Sequence, residues 1–173
     1  MKEMIKKKKP EHMTHLRGNV LVRKDHPRIV FRGYIDLLEA ELLLAWRTAR
    51  EEGYAEVAAT LSESLDFVRS LIRCDVLGEK KTDWTLAGYT PDELREKSHH
   101  PETYFGQPHF MATGEDSATL LAVNHVRAVV RQTELAAYSA FKEFDGTMSR
   151  EDIQLALNRL SSLMWIVMIR LKA

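Results

Sequence analysis

Five prolines, at positions 10, 27, 91, 101 and 108, interrupt the 173-residue chain and leave two long proline-free stretches, one between Pro27 and Pro91 and one from Met111 to Ala173. Proline lacks a backbone donor and its ring clashes with the preceding helical turn, so long helices belong in the stretches that lack it. Glycine is scarce too: 8 glycines and 5 prolines fall well below the roughly 12% of an average chain. A few long helices are therefore expected rather than many short strands. The length suits one domain with a real core. With 25 basic and 25 acidic residues the formal net charge is +0, which disfavours generic nucleic-acid binding because no basic excess faces a phosphate backbone. A composition 45% hydrophobic and 29% charged is that of a folding chain. The single cysteine, Cys74, excludes an internal disulfide and a multi-cysteine zinc site. No apolar run approaches the roughly 20 residues of a membrane span, and no signal peptide is evident. The expected location is the cytoplasm, with no membrane partner.

The periodicity predicts a first helix from about Pro27 to Arg50, with Phe31, Ile35, Leu38, Leu42, Ala45, Trp46 and Ala49 on its core face. A second, from about Tyr54 to Leu77, ends at Gly78 and forms an antiparallel hairpin with the first. Residues 79–114 form a long connection with one short helix, Pro91 to Lys97, capped by Thr90. A third long helix is expected from about Asp116 to Phe144. The fourth runs from about Arg150 to Leu171, with Ser149 as N-cap and Asp152 completing a capping box. The expected fold is all-α, four long helices plus a short one in an up-and-down bundle over 13–173, preceded by a disordered basic tail at 1–12.

Several groups of residues can carry chemistry. Arg127, Arg131, Glu134 and Tyr138 fall at offsets of four, three and four, on one helix face. Two arginines one turn apart call for a nearby anion, and the planar guanidinium suits phosphate; a solvated face with Glu134 paired to Arg131 satisfies the same spacing. Asp36 pairs either with Arg32 one turn away or with a group on another helix or subunit. Asn158, Ser161, Ser162 and Trp165 either line a ligand wall or serve close helix packing and the core. His99, His100, Glu102 and His109 could ligate a metal but match no helix-presented motif, and structural loop histidines fit equally. Phe110 either plugs the core or leans over a ligand. Cys74, with no histidine near it in sequence, reads as an inert thiol.

Together the strings HPRIVFRGYID (His26 to Asp36), LGE (Leu77 to Glu79), SHHP (Ser98 to Pro101), VRAVVRQTELAA (Val126 to Ala137) and ALNRLSS (Ala156 to Ser162) resemble the ethanolamine-utilisation type of corrinoid adenosyltransferase, in order, from about Met13 to Leu171. The resemblance implies transfer of the 5′-deoxyadenosyl group of ATP to the cobalt of reduced cobalamin. It also implies a helical-bundle trimer with active sites between subunits. Lys24 matches a lysine on the ATP phosphates; Thr14, Gly18 and Arg28 belong to the same ATP-binding end. Arg131, Glu134 and Asn158 match positions that hold the triphosphate, its Mg2+ or the nucleoside, with Glu134 at the metal. Arg127 matches an arginine paired across a subunit boundary with the aspartate matching Asp36. Phe110 and Trp165 match aromatic positions at the corrin.

The chain departs from the wider family in three ways. Thr14-His15-Leu16-Arg17-Gly18 stands where a TGDxG loop is usual, Gln132 replaces a second arginine, and Ser162 replaces an aspartate, the last change being shared by the ethanolamine type. A cysteine-rich metal-binding segment found upstream in that type has no counterpart here, so no such metal site is expected. The resemblance implies a flavin-type reductase as electron source, an adenosylcobalamin-dependent lyase as consumer, and association with a bacterial microcompartment. The alternative is a non-catalytic corrinoid- or ATP-binding bundle, suggested by Gln132 and the altered loop.

Overall fold

The computed structural model describes residues 9–173, so most of the basic tail, including Lys2 and Lys6 to Lys8, lies outside the described residues. The elements are a hairpin of β1 (Met13–Arg17) and β2 (Val20–Arg23), then α1 (Pro27–Glu51), α2 (Ala55–Leu77), α3 (Pro91–His99), α4 (Pro101–Phe105), α5 (Ala118–Phe141) and α6 (Glu151–Lys172). The four long helices pack in the spatial order α2, α1, α5, α6, and α3 and α4 lie against α6. Phe31, Leu38, Leu42, Leu61, Leu71, Val126, Leu157 and Leu160 are fully buried at their centre. No described helix is long and apolar enough to cross a membrane.

Local chemistry sets the helix ends. Pro27 occupies the first turn of α1, and the His26 ring accepts from the Arg28 amide. Gly78 ends α2 in the left-handed region at φ 73°, where a side chain would be strained. Thr90 and Glu93 form a reciprocal capping box at the start of α3. Ser117 caps α5 by accepting from the Leu120 amide at 3.1 Å.

Four local expectations are corrected. The first concerns α6. The Ser149 hydroxyl donates to the Phe141 carbonyl at 3.0 Å, which leaves Arg150 at the N-cap without a side-chain cap. Asp152 closes no capping box, because it receives the Arg150 guanidinium at 2.8–2.9 Å and the Lys81 amide at 2.8 Å. Secondly, α5 stops at Phe141, since Lys142 turns extended and bridges to Met148. Thirdly, Pro101 opens a second short helix, α4, that periodicity did not reveal. Lastly, residues 13–23, where the resemblance implies a phosphate-binding loop around Thr14 to Gly18, form a two-stranded hairpin turning at Gly18 with φ 53°.

The hairpin is tied to one end of the bundle. Arg32 donates to the Leu16 carbonyl at 2.7 Å, and Arg17 to the Leu77 carbonyl at 3.2 Å. Behind them the Asp75 carboxylate, fully buried, pairs with both Arg28 and Arg32. The local Arg32–Asp36 pair therefore does not form: Arg32 has a better-desolvated partner, and Asp36 is left exposed on α1.

Candidate functional site

A cavity of about 940 Å³ opens between α5 and α6, closed on one side by Ser98 and His99 of α3 and by the His109–Phe110 segment. Helical spacing explains its α5 wall, because Arg127, Arg131, Glu134 and Tyr138 present side chains one turn apart on one face. The α6 wall repeats the logic with Gln154, Asn158, Ser161, Ser162 and Trp165. Gln154 lies one turn before Asn158, a spacing signal that sequence reading missed. Leu135 was also missed; it is 60% exposed at the rim.

The α5 wall of the cavity is cationic. Arg127 is half-buried, and its Nε is buried without a hydrogen-bond partner while Nη2 reaches Asn124 Oδ1 only at 3.4 Å. Burial, and after it the neighbouring Arg131 charge, pull the Arg127 pKa below its ordinary value. Two cations one turn apart, one of them desolvated, are costly unless an anion joins them. Glu134 does not serve as that anion. Its Oε1 accepts instead from Asn158 Nδ2 at 3.0 Å and from Gln154 Nε2 at 3.3 Å, and it forms no ion pair with Arg131. The reading in which Glu134 merely neutralises Arg131 is thus set aside.

One end of the cavity is aromatic. Phe110 stacks on Trp165 with ring centres 5.1 Å apart and planes 27° from parallel, and His109 stacks on the same indole at 5.5 Å and 25°. Phe110 and Trp165 are both partly buried, so an apolar surface remains open to the cavity. The arrangement can hold a flat apolar ring system against the aromatic rings and a polyanion along the arginines of α5.

Of the residues singled out in the sequence, the fold brings together Phe110, Arg127, Arg131, Glu134, Asn158 and Trp165. Thr14 lies on β1, Gly18 at the hairpin turn and Lys24 exposed just after β2, outside the cavity lining. Asp36 is exposed on α1, also outside it. Arg28 is committed to Asp75 and stacks over Phe141 at 5.5 Å. His100 lies 3.9 Å from Glu96 rather than in the cavity. Among the described residues no three His, Cys, Asp or Glu side chains converge as a metal site. Cys74 is buried, and its carbonyl accepts from Arg150.

Comparison with known proteins bears on this geometry. The family model described as cobalamin adenosyltransferase matches residues 4–171. The chain is 30% identical over 169 residues to the corrinoid adenosyltransferase EutT of Escherichia coli (strain K12), covering 94% of this chain and 59% of that protein. It is 32% identical over 166 residues to the corrinoid adenosyltransferase EutT of Salmonella typhimurium (strain LT2), with the same coverage of 94% and 59%. The chain thus spans about 59% of the length of the curated relatives it matches. No solved structure matches it.

Proposed function

Starting from the fact that the chain belongs to the cobalamin adenosyltransferase family, we propose that it transfers the 5′-deoxyadenosyl group of ATP to the cobalt of a reduced corrinoid, within a single domain over 13–173. The observation that carries this reading is the cavity whose α5 wall bears Arg127 and Arg131 and which the Phe110–Trp165 stack closes beside them.

In the transfer the electron pair on reduced cobalt attacks C5′, a Co–C bond forms, the C5′–O bond breaks, and triphosphate leaves with the bonding pair. Negative charge therefore builds on the departing oxygen. Guanidinium groups fixed where that charge appears lower the barrier without reorganisation at the moment of reaction. Arg131, exposed in the cavity, meets the triphosphate in this reading, and Arg127 completes the cationic wall beside it. Lys24, Thr14 and Gly18 act on the phosphates from the hairpin, whose position Arg28 and Arg32 fix through Asp75. Asn158 orients the nucleoside and at the same time holds Glu134.

A magnesium ion fits this site as a guest of the phosphates. Glu134 is the one carboxylate lining the cavity, and its Oε2 accepts no hydrogen bond among the described residues. Mg2+ is commonly held by one or two carboxylates together with substrate phosphates. Glu134 would hold it, and when bound it neutralises triphosphate charge.

At the apolar end Phe110 and Trp165 cover the corrin and exclude water. The Phe110 and Trp165 rings offer cobalt no ligating atom, unlike the His109 imidazole stacked beside them, and a corrinoid covered by those two rings would be easier to reduce. No side-chain nucleophile is needed, because the metal is the attacking atom.

The active assembly in this reading is a trimer with sites between subunits, in which Arg127 meets Asp36 of a neighbouring chain. The exposed Asp36, the partnerless Arg127 Nε and the exposed Leu135 and Tyr138 at the rim support it. A flavin-type reductase would supply the electrons, and an adenosylcobalamin-dependent lyase, acting in ethanolamine breakdown within a bacterial microcompartment, would use the product.

The test is anaerobic incubation of purified protein with reduced cobalamin, ATP and Mg2+, following the absorption spectrum. The reading requires a light-sensitive alkylcobalamin spectrum that depends on ATP. A folded protein giving no such product would overturn it.

A further inference from the structure

Beside the main cavity lies a second lobe of about 500 Å³ between α3 and α6, joined to it through His99, Glu134, Gln154 and Asn158. Its far wall holds Arg159 and Arg95, neither of which the reading above uses. Arg159 is 8% exposed, and its Nε is buried without a hydrogen-bond partner. Among the described residues no carboxylate oxygen stands within 4.0 Å of its guanidinium. Its one side-chain hydrogen bond runs from Nη1 to Asn158 Oδ1 at 2.5 Å, and Asn158 passes the link on to Glu134 at 3.0 Å.

A buried cation without a counterion costs several kcal/mol, so chains rarely keep one unless something pays for it. The Arg159 pKa is lowered by burial and then by the nearby Arg95 charge, with Asp92 and Glu134 opposing, which marks the environment as short of negative charge. The lobe's own carboxylates do not relieve it. Glu134 is held on the Asn158 side, and Glu151 lines the lobe without pairing with Arg159. An arginine fork favours phosphate oxygens, which it can bind in pairs.

We propose that Arg159, with Arg95 beside it, forms a phosphoryl-binding subsite in this lobe for a phosphate carried by a substrate seated in the main cavity. The inference rests on the adenosyl-transfer reading for the identity of that substrate. The phosphate is either the tail of the nucleotide or the phosphodiester of the corrinoid's nucleotide loop, and the two can be told apart.

The experiment is equilibrium binding to the whole chain and to its Arg159→Gln and Arg95→Gln variants. One titration uses inorganic tripolyphosphate; the other compares cobalamin with cobinamide, which lacks the phosphodiester. Arg95 is exposed, so its substitution leaves the fold intact even where Arg159→Gln does not. A tenfold or greater loss of tripolyphosphate affinity assigns the nucleotide tail. A collapse of the cobalamin preference over cobinamide assigns the corrinoid phosphodiester. Variants that match the parent in both titrations, or a parent that neither binds tripolyphosphate nor prefers cobalamin, overturn the proposal. Neither titration involves turnover. A parent that binds phosphate through these arginines yet forms no Co–C bond would sink the adenosyl-transfer reading and leave the subsite standing.

Discussion

The guanidinium of Arg127 lies over the ring of Trp165 on the facing helix, 5.8 Å from the ring centre. This contact sets the cationic wall of the cavity directly against its aromatic end, so a ligand touching the indole also feels the guanidinium charge. A cation over an indole gains about 0.5–2 kcal/mol, more when desolvated, which partly offsets the burial of Arg127.

Trp165→Ala should therefore act on both ends. It removes the stack with Phe110 and His109 and frees Arg127. The expected result is a rise of at least tenfold in the KM for the corrinoid with a smaller change in the KM for ATP, and a stability loss of about 3 kcal/mol, read by initial rates and urea unfolding. Equal effects on the two KM values would contradict the placement of the corrin at this end.

Asp75 carries the junction between bundle and hairpin, being fully buried between Arg28 and Arg32. Removing one partner of a buried ionic group leaves the others uncompensated, at a cost of about 3–5 kcal/mol. Asp75→Asn should lose that much in urea unfolding. Arg28→Ala should lose less, because Arg32 still satisfies the carboxylate.

The proposed pairing of Arg127 with a neighbour's Asp36 can be tested by mixing. Asp36→Ala and Arg127→Ala are each expected to be inactive alone. When the two are unfolded and refolded together, about a quarter of the intersubunit sites regain both native residues by random assortment. Recovered activity near that fraction supports the shared site; no recovery rules it out, and activity in either single variant removes that residue from the mechanism.

Acid stability should follow Asp152. Burial pushes its carboxyl up, but hydrogen bonds from Arg150 and the Lys81 amide, with the charges of Arg150 and Lys80, outweigh this and hold it at about 2. A pKa depressed in the folded state gives stability that is present above the unfolded value near 4 and lost as pH falls through about 2. Melting temperature against pH should show the parent more stable than Asp152→Asn at pH 6, with the gap closing between about pH 4 and 2. A gap independent of pH would show that the carboxylate charge is not the source.

Much of this fold is legible in the sequence, because Pro27, Gly78 and the apolar periodicity of the long helices are local signals. The α5 stripe is legible for the same reason: four polar side chains at helical spacing share a face whatever packs against them. The hairpin is not legible, since Val20 and Leu21 are 56% and 42% exposed and β2, their four-residue strand, carries no alternating pattern. The partner of Arg32 is equally hidden, lying 43 residues away at Asp75 rather than one turn away at Asp36. Arg159 escapes for a related reason: its burial depends on how α3 settles against α6, which no spacing along α6 encodes.

The central claim is that the cavity's arginines stabilise a departing triphosphate, and the rate of Co–C bond formation in Arg131→Ala tests it most directly. Arg131 is exposed and its side chain makes no hydrogen bond among the described residues, so the variant should melt with the parent. The account predicts a fall of at least a hundredfold in that rate, in line with losing one fixed charge-stabilising donor. A folded Arg131→Ala protein that adenosylates reduced cobalamin at the parent rate would contradict it.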